Sequence, residues 1–416
     1  MSRVRIIGGG LTGILAAFQA HRMGCDDIVL HERFDQLGGV ALPQERHGLE
    51  MREGCIYLGP PGDPIRTLLE TYGQTFTDFD NRFGSMSPGG VYTEDFGGPA
   101  LPGADITLTP PSGQSLADRL IAYPPAVGEA LARYARWHLG CELSEAHESA
   151  AIPLAINRVF PRDADIASLA EAKRTDPLAD ELFAIPRGQW GRTNNLTASL
   201  PTGGFPAFLR RTRLALEAIG VKIHDTSLVS PRQALAEHAA GEVLVWAANP
   251  TPLFKAAGVP TPKLLPKSFT THVFAARWTG ALPFYVQNFT AEGVCFRVYV
   301  YESGGKTLLT AECVAEADPD ALRAEIRRML GGFKGKLQLG ETLSTTIKPR
   351  WIYHSMDAMD GLVDLRATLA QRMGPAFVAG AWEPYAKTEK FHQVNAGLAA
   401  ALAAPMASGE RSAAAA

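Results

Sequence analysis

Arg3-Val4-Arg5-Ile6-Ile7-Gly8-Gly9-Gly10-Leu11-Thr12-Gly13-Ile14-Leu15-Ala16-Ala17-Phe18-Gln19-Ala20-His21 is followed, after a short turn, by Ile28-Val29-Leu30-His31-Glu32. An apolar run breaks into glycines and passes into a segment with apolar residues at helical spacing, which reads as strand, tight turn and helix. The β-branched run at Ile28 reads as a second strand, with Glu32 just beyond it, 19 residues after Gly13. This is the order of a βαβ unit that holds a dinucleotide. Gly8 turns the chain sharply out of the strand, Gly10 lets a pyrophosphate approach the backbone, and Gly13 lets helix and sheet pack closely. The first helical N–H groups, at Leu11 and Thr12, then face the phosphates with the positive end of the helix dipole behind them. Glu32 is placed to accept hydrogen bonds from ribose hydroxyls.

The next residues, Arg33-Phe34-Asp35-Gln36-Leu37-Gly38-Gly39, set a glycine pair shortly after the acid. This resembles the extended FAD signature of the flavoprotein superfamily that includes amine oxidases, protoporphyrinogen oxidase and UDP-galactopyranose mutase. The resemblance implies FAD, bound non-covalently, with Gly38 and Gly39 running past its phosphates and Arg33 beside Glu32 at the adenosine end.

The chain has 416 residues, enough for two or three domains, and a net charge of −3, too near balance to suggest nucleic acid or an anionic membrane as partner. Five widely scattered cysteines, Cys25, Cys55, Cys141, Cys295 and Cys313, include no C-x-x-C pair and suggest a reducing, cytoplasmic location. The histidines show no metal-ligand spacing. No segment approaches the ~18 uncharged apolar residues of a membrane span. The glycine turn starts at Gly8, which leaves no room for a removable leader. A small-molecule substrate is the expected partner, and the oligomeric state is not legible.

Along the chain, residues 44–59 read as loop and hairpin, and Asp63 is placed to cap a helix. Residues 76–115 read as β-rich, with helices at Leu116–Leu139 and Leu154–Phe183. Leu200-Pro201-Thr202-Gly203-Gly204-Phe205 begins another helix, followed by strands at Val221–His224 and Val243–Ala248. That order resembles the second part of the superfamily's FAD domain and implies that Leu228 or Val229 meets the adenine end. Strand-like alternation at Thr270–Arg277, Phe284–Phe289, Cys295–Tyr301 and Thr307–Cys313, a helix at Pro319–Leu330 and a strand at Thr345–Tyr353 suggest an antiparallel substrate sheet. Gly361 is read as a helix start. The expected fold is therefore α/β: a Rossmann-like FAD-binding domain of glutathione-reductase type with an antiparallel-sheet substrate domain and a helical insert. The expected division is FAD domain at 1–75, 188–262 and 356–402, substrate and helical insert at 76–187, sheet domain at 263–355, and a disordered tail at 403–416.

In the last segment, the resemblance implies that Gly380 ends a buried strand at the flavin, and that Gln393 and Val394 head a helix whose N-terminus meets the cofactor. On the substrate side, Arg297 with Tyr299, Arg350 with Tyr353, and Arg192 are candidates for holding a ligand phosphate, since guanidinium groups grip phosphate oxygens in forked pairs. Each is equally readable as an ion pair. Trp382 and Tyr385 read either as an aromatic cage over the flavin or as core. The mutases carry Gly-Pro-His where this chain has Gly59-Pro60-Pro61-Gly62, so that histidine is missing.

No independent catalyst stands out, which leaves the catalytic residues unknown and makes the flavin N5 the expected reactive atom. The reading is an FAD-dependent oxidoreductase acting on a small organic substrate. The alternatives are a UDP-galactopyranose mutase-like enzyme, using reduced flavin as nucleophile on a sugar nucleotide, and a non-catalytic flavin-binding escort.

Overall fold

The computed structural model of the chain describes residues 3–54, 56–81, 83–94, 98–186, 197–239 and 241–404, with side chains at all of these except 348–353. One half is a five-stranded sheet in the order Lys222–His224, Asp27–His31, Arg3–Ile7, Glu242–Trp246, Phe377–Ala379, parallel throughout. Glu242–Trp246 is buried at every position, as a parallel strand covered on both faces must be. Its alternating side chains serve two layers. Val243 and Val245 join the core under the helices Leu11–Arg22 and Lys387–Ala403. Leu244 and Trp246 join the opposite core, with the helices Thr251–Ala257 and Met356–Met373.

The second sheet has seven strands in the order Leu337–Tyr353, Leu265–Trp278, Lys306–Cys313, Cys295–Ser303, Phe284–Asn288, Phe83–Ser87, Val91–Thr93. It corrects the antiparallel expectation. Phe83–Ser87 runs parallel to Phe284–Asn288, so the sheet is mixed, and residues read as part of the insert supply its last two strands. A parallel neighbour needs a long crossover, and here most of the chain between the two strands provides it. The helix Pro319–Gly331 covers one face through Leu322, Ile326 and Met329. The insert helices Leu116–Ile121, Pro125–Leu139, Ile166–Thr175 and Pro177–Leu182 form their own core, which meets the sheet at Phe269, Phe289 and Phe296.

Two helix boundaries also differ from expectation. Before Ile166 the chain makes only a short 3-10 turn, Glu148–Ala151, and a two-residue strand, Phe160–Pro161. The helix assigned to Gly361 starts at Met356, because Ser355 caps it by accepting from Ala358 N at 3.0 Å.

A short strand, Leu49–Met51, ties the two halves together. It crosses the sheet face that carries Tyr285, Tyr299 and Tyr301. Glu50 N donates to Ser303 Oγ (2.7 Å), Arg52 N donates to the Tyr301 hydroxyl (2.8 Å), and Thr310 Oγ1 donates to the Arg52 carbonyl (2.5 Å). Arg52 Nε donates to Glu50 Oε1 at 2.9 Å, with both side chains below a tenth exposed. The Glu50 carboxylate also lies against the start of the helix Gly204–Ala218, where a Cβ on Gly204 would overlap Oε2. Gly203 and Gly204 both have positive φ, +81° and +83°, so this helix start requires glycine for backbone and for space.

Replacing Arg52 with Met strands the Glu50 carboxylate in the interior. The expected loss is ~3–5 kcal/mol of stability by urea unfolding. Glu50→Gln added to Arg52→Met should recover much of it, and a double variant as unstable as the single one would show that the charge pair is not what is lost.

Candidate dinucleotide site and the facing sheet

The glycine turn is held by close backbone approach. Gly8 has φ +106° and donates from its N to the His31 carbonyl at 2.8 Å, and a Cβ on Gly13 would overlap the Gly8 carbonyl. Gly38 N donates to the Gly9 carbonyl at 2.8 Å, and a Cβ on Gly39 would stand 3.2 Å from Gly10 Cα. The two glycine segments thus lie side by side. Gly10 caps the first helix with no side-chain hydrogen bond, and no acid occupies the first turn. The N–H groups of Leu11, Thr12 and Gly13 are those that a helix leaves without internal acceptors. A Cβ on Gly10 would meet only Gly39 Cα, at 3.9 Å, so the space above it is open.

Glu32 is buried. One carboxylate oxygen accepts from Gly9 N (2.7 Å), the other from Phe34 N (2.9 Å). Each oxygen keeps a second lone pair, so the acid that shapes the turn has capacity left for two hydroxyls. Arg33 lies over the Phe34 ring at 4.4 Å. Leu228 is exposed, while Val229 packs partly against the core containing Trp246. Beside this cradle, a recess lined by Leu11, Ile14, Gly38, Ala41, Phe205 and Leu209 is apolar and offers phosphate no partner.

Several residues read as ligand contacts are engaged elsewhere. Arg297 donates from Nε to Glu312 Oε2 inside the sheet and lies over the Tyr285 ring at 5.6 Å. Burial works against its charge, but Glu312 and then Tyr285 more than offset this and hold the guanidinium protonated. Tyr299 does share its face, as the period of two requires, but its hydroxyl accepts from Arg52 Nη1 at 3.1 Å and its ring stacks on Tyr301. Trp382 is core rather than cage, donating from Nε1 to the Trp246 carbonyl at 3.2 Å. The Tyr385 hydroxyl accepts from His354 N at 2.9 Å. Gln393 and Val394 do not head their helix. It begins at Lys387, so both lie in its second turn, with Gln393 exposed and Val394 in the core. Gly380 does follow a strand, Phe377–Ala379, of which only Val378 is buried, and a Cβ on Gly380 would overlap the Trp246 carbonyl. Arg192 and the side chains of Arg350 and Tyr353 lie outside the described residues.

The residues missed in the sequence form the junction between the parts. Glu50 and Arg52 lie in and just after the hairpin expected in residues 44–59, formed by Gln44–Arg46 and Leu49–Met51, but nothing in the sequence marked their pairing. His354 joins three elements: its carbonyl accepts from His147 N of the insert (2.9 Å), and its Nε2 donates to the Trp382 carbonyl (3.1 Å). Nothing in the sequence marked it. Lys387, in the first turn of the last helix, donates from Nζ to the Tyr57 carbonyl.

Residues 6–72 match the family model of an NAD(P)-binding Rossmann-like domain. No curated protein sequence matches the chain. Among solved structures the chain is similar to reduced UDP-galactopyranose mutase, at 12% identity and TM-score 0.68 over 97% of this chain and 94% of that one. It is also similar to a putative protoporphyrinogen oxidase from an Exiguobacterium species, at 12% identity and TM-score 0.61 over 96% and 98%. The chain thus shares its fold with these two proteins along nearly its whole length. A redesigned putrescine oxidase is similar in fold as well, at 13% identity and TM-score 0.56 over 97% and 99% of the two chains. Among the described residues no helix is long and apolar enough to cross a membrane, and no His, Cys, Asp and Glu cluster suits a metal ion.

Glu32→Ala should leave the N–H groups of Gly9 and Phe34 without acceptors and destabilise the ligand-free protein by ~1–3 kcal/mol. Unchanged urea unfolding would deny the acid its structural role. Burial pushes His354 from its ordinary 6.5 down to about 4, against the Trp382 carbonyl, which favours the proton. The unfolded chain therefore binds a proton near pH 6.5 that the folded chain refuses until about pH 4. The stability that neutral His354 supplies is complete above that window and is lost as pH falls through it, by up to ~3 kcal/mol. His31, His138, His147 and His272 are depressed by burial and add in the same direction. His354→Gln should flatten the dependence of stability on pH between 6.5 and 4, and an unchanged slope would remove His354 from the account.

Proposed function

We propose that this chain binds FAD non-covalently in its Rossmann-like domain, of glutathione-reductase type, and acts as an FAD-dependent oxidoreductase on a small organic substrate. The observation that carries the reading is the cradle: an uncapped helix N-terminus, open space above Gly10, and a buried acid with hydrogen-bonding capacity in reserve. These residues fit the cofactor. The N–H groups of Leu11, Thr12 and Gly13 would hold the pyrophosphate in the open space at Gly10, with Gly39 alongside, Glu32 would hold the adenosine ribose, and Arg33 and Val229 would border the adenine. FAD bound there supplies hydride acceptance at its N5.

The substrate side is argued from charge. Arg52 is matched by Glu50 and Arg297 by Glu312, so the aromatic sheet face with Tyr285 and Tyr299 presents little net charge. A neutral or weakly charged organic substrate suits such a face better than a nucleotide diphosphate. A mutase-like use of the site on a sugar nucleotide is the second reading, favoured by the match to reduced UDP-galactopyranose mutase along nearly the whole chain. Arg192 and Arg350 are its remaining candidates for the phosphates. Gly59-Pro60-Pro61-Gly62 and the occupied Arg297 weigh against it.

Two measurements test the reading. Gly10 has extended φ and ψ and room for a side chain in the protein itself, so Gly10→Val should fold with little loss of stability yet purify without FAD. A variant that keeps its FAD would mean that the pyrophosphate lies elsewhere. Anaerobic mixing with amines and alcohols should bleach the flavin absorbance of the wild type. Tight binding of UDP to the reduced protein, with no bleaching by any such donor, would turn the assignment to the mutase reading.

A further inference from the structure

On the far side of the second sheet, away from the nucleotide cradle, two cysteines face each other. Cys295 on Cys295–Ser303 and Cys313 on Lys306–Cys313 are direct partners in the antiparallel register. Both are fully buried, share one core, and stand as free thiols. The neighbouring residues fix the kind of pair they make. Val314 N donates to the Val294 carbonyl at 2.9 Å, while Cys295 N turns away to Glu325 Oε1 at 3.1 Å. Cys295 and Cys313 therefore occupy a non-hydrogen-bonded position, where opposing Cα atoms approach to ~4.5 Å. That is within the ~4.4–6.8 Å over which a disulfide spans two Cα atoms. The thiol of Cys295 is in hydrogen-bond reach of Cys313 and also donates to the Arg297 carbonyl at 3.5 Å.

We propose that Cys295 and Cys313 form a dithiol–disulfide site, closed by a small uncharged oxidant of the peroxide class. The peroxide oxidises one thiol to a sulfenic acid and leaves as water. The second thiol then attacks that sulfur, forming the S–S bond and releasing a second water, so that two thiols and one hydrogen peroxide give one disulfide and two waters. Burial holds the Cys295 thiol well above its ordinary range, so the closed protein reacts slowly, and only with an oxidant small and neutral enough to enter. The bond staples adjacent strands beside the Arg297–Glu312 ion pair, since Glu312 precedes Cys313 and the Arg297 carbonyl receives the Cys295 thiol. The site is independent of cofactor and substrate.

The test uses the folded full-length chain treated with hydrogen peroxide, acid-quenched, alkylated and mapped by mass spectrometry. The expected product is one cross-linked peptide pair joining Cys295 to Cys313, lighter by two hydrogen atoms and restored by dithiothreitol, with Cys25, Cys55 and Cys141 still alkylated. Cys313→Ala should abolish it, and if that variant does not fold, the wild-type map alone decides. Recovery of Cys295 and Cys313 as free thiols or as sulfinic acids, or cross-links spread over the other cysteines, would overturn the proposal.

Discussion

The pairing of Arg52 with Glu50 is the interaction on which the architecture turns. It places two charges in the interior, which is costly unless each is fully answered. Here the charges answer each other, the Tyr299 hydroxyl accepts from the guanidinium, and the Glu50 carboxylate lies against the start of the helix Gly204–Ala218. Both charges sit on one short segment, which is held to the second sheet by the hydrogen bonds from Glu50 N to Ser303, Arg52 N to Tyr301, Arg52 Nη1 to Tyr299 and Thr310 to the Arg52 carbonyl, so neither half can move far without leaving buried polar groups unpaired. The relation between the glycine turn and the sheet face is set by buried hydrogen bonds as much as by apolar contact.

The same logic repeats deeper in the sheet. Arg297 and Glu312 neutralise each other, and beside them Gln287 donates from Nε2 to the Tyr134 hydroxyl (2.5 Å) and the Leu154 carbonyl (2.9 Å), fixing the insert to the sheet. Buried polar groups in this protein mark the seams between its parts. The apolar cores fill the parts themselves.

This division explains what the sequence made legible. Local rules carried the glycine turn, the acid at Glu32 and the helix capped by Asp63, since each depends on residues close together in the chain. Long apolar runs gave away Glu242–Trp246. What could not be read depends on partners distant in sequence: that Arg297 would meet Glu312, that Tyr299 would meet Arg52, and that Phe83–Ser87 would add parallel to Phe284–Asn288. Period-two alternation correctly put Arg297 and Tyr299 on one face but is silent on what that face meets. An arginine between aromatic residues has the same local pattern whether it awaits a phosphate or is already held by a carboxylate.

The strand order also bears on how the protein is made. Arg3–Ile7 is the centre of the parallel sheet, yet its neighbour Glu242–Trp246 is synthesised only after the cradle, the insert and the first strands of the second sheet. Until then the nascent βαβ unit carries an apolar strand edge with no partner. Such non-local pairing slows folding and leaves the growing chain open to aggregation. Vectorial synthesis thus works against this topology, and a cell producing the protein has to shelter Arg3–Ile7 until Glu242–Trp246 has been made.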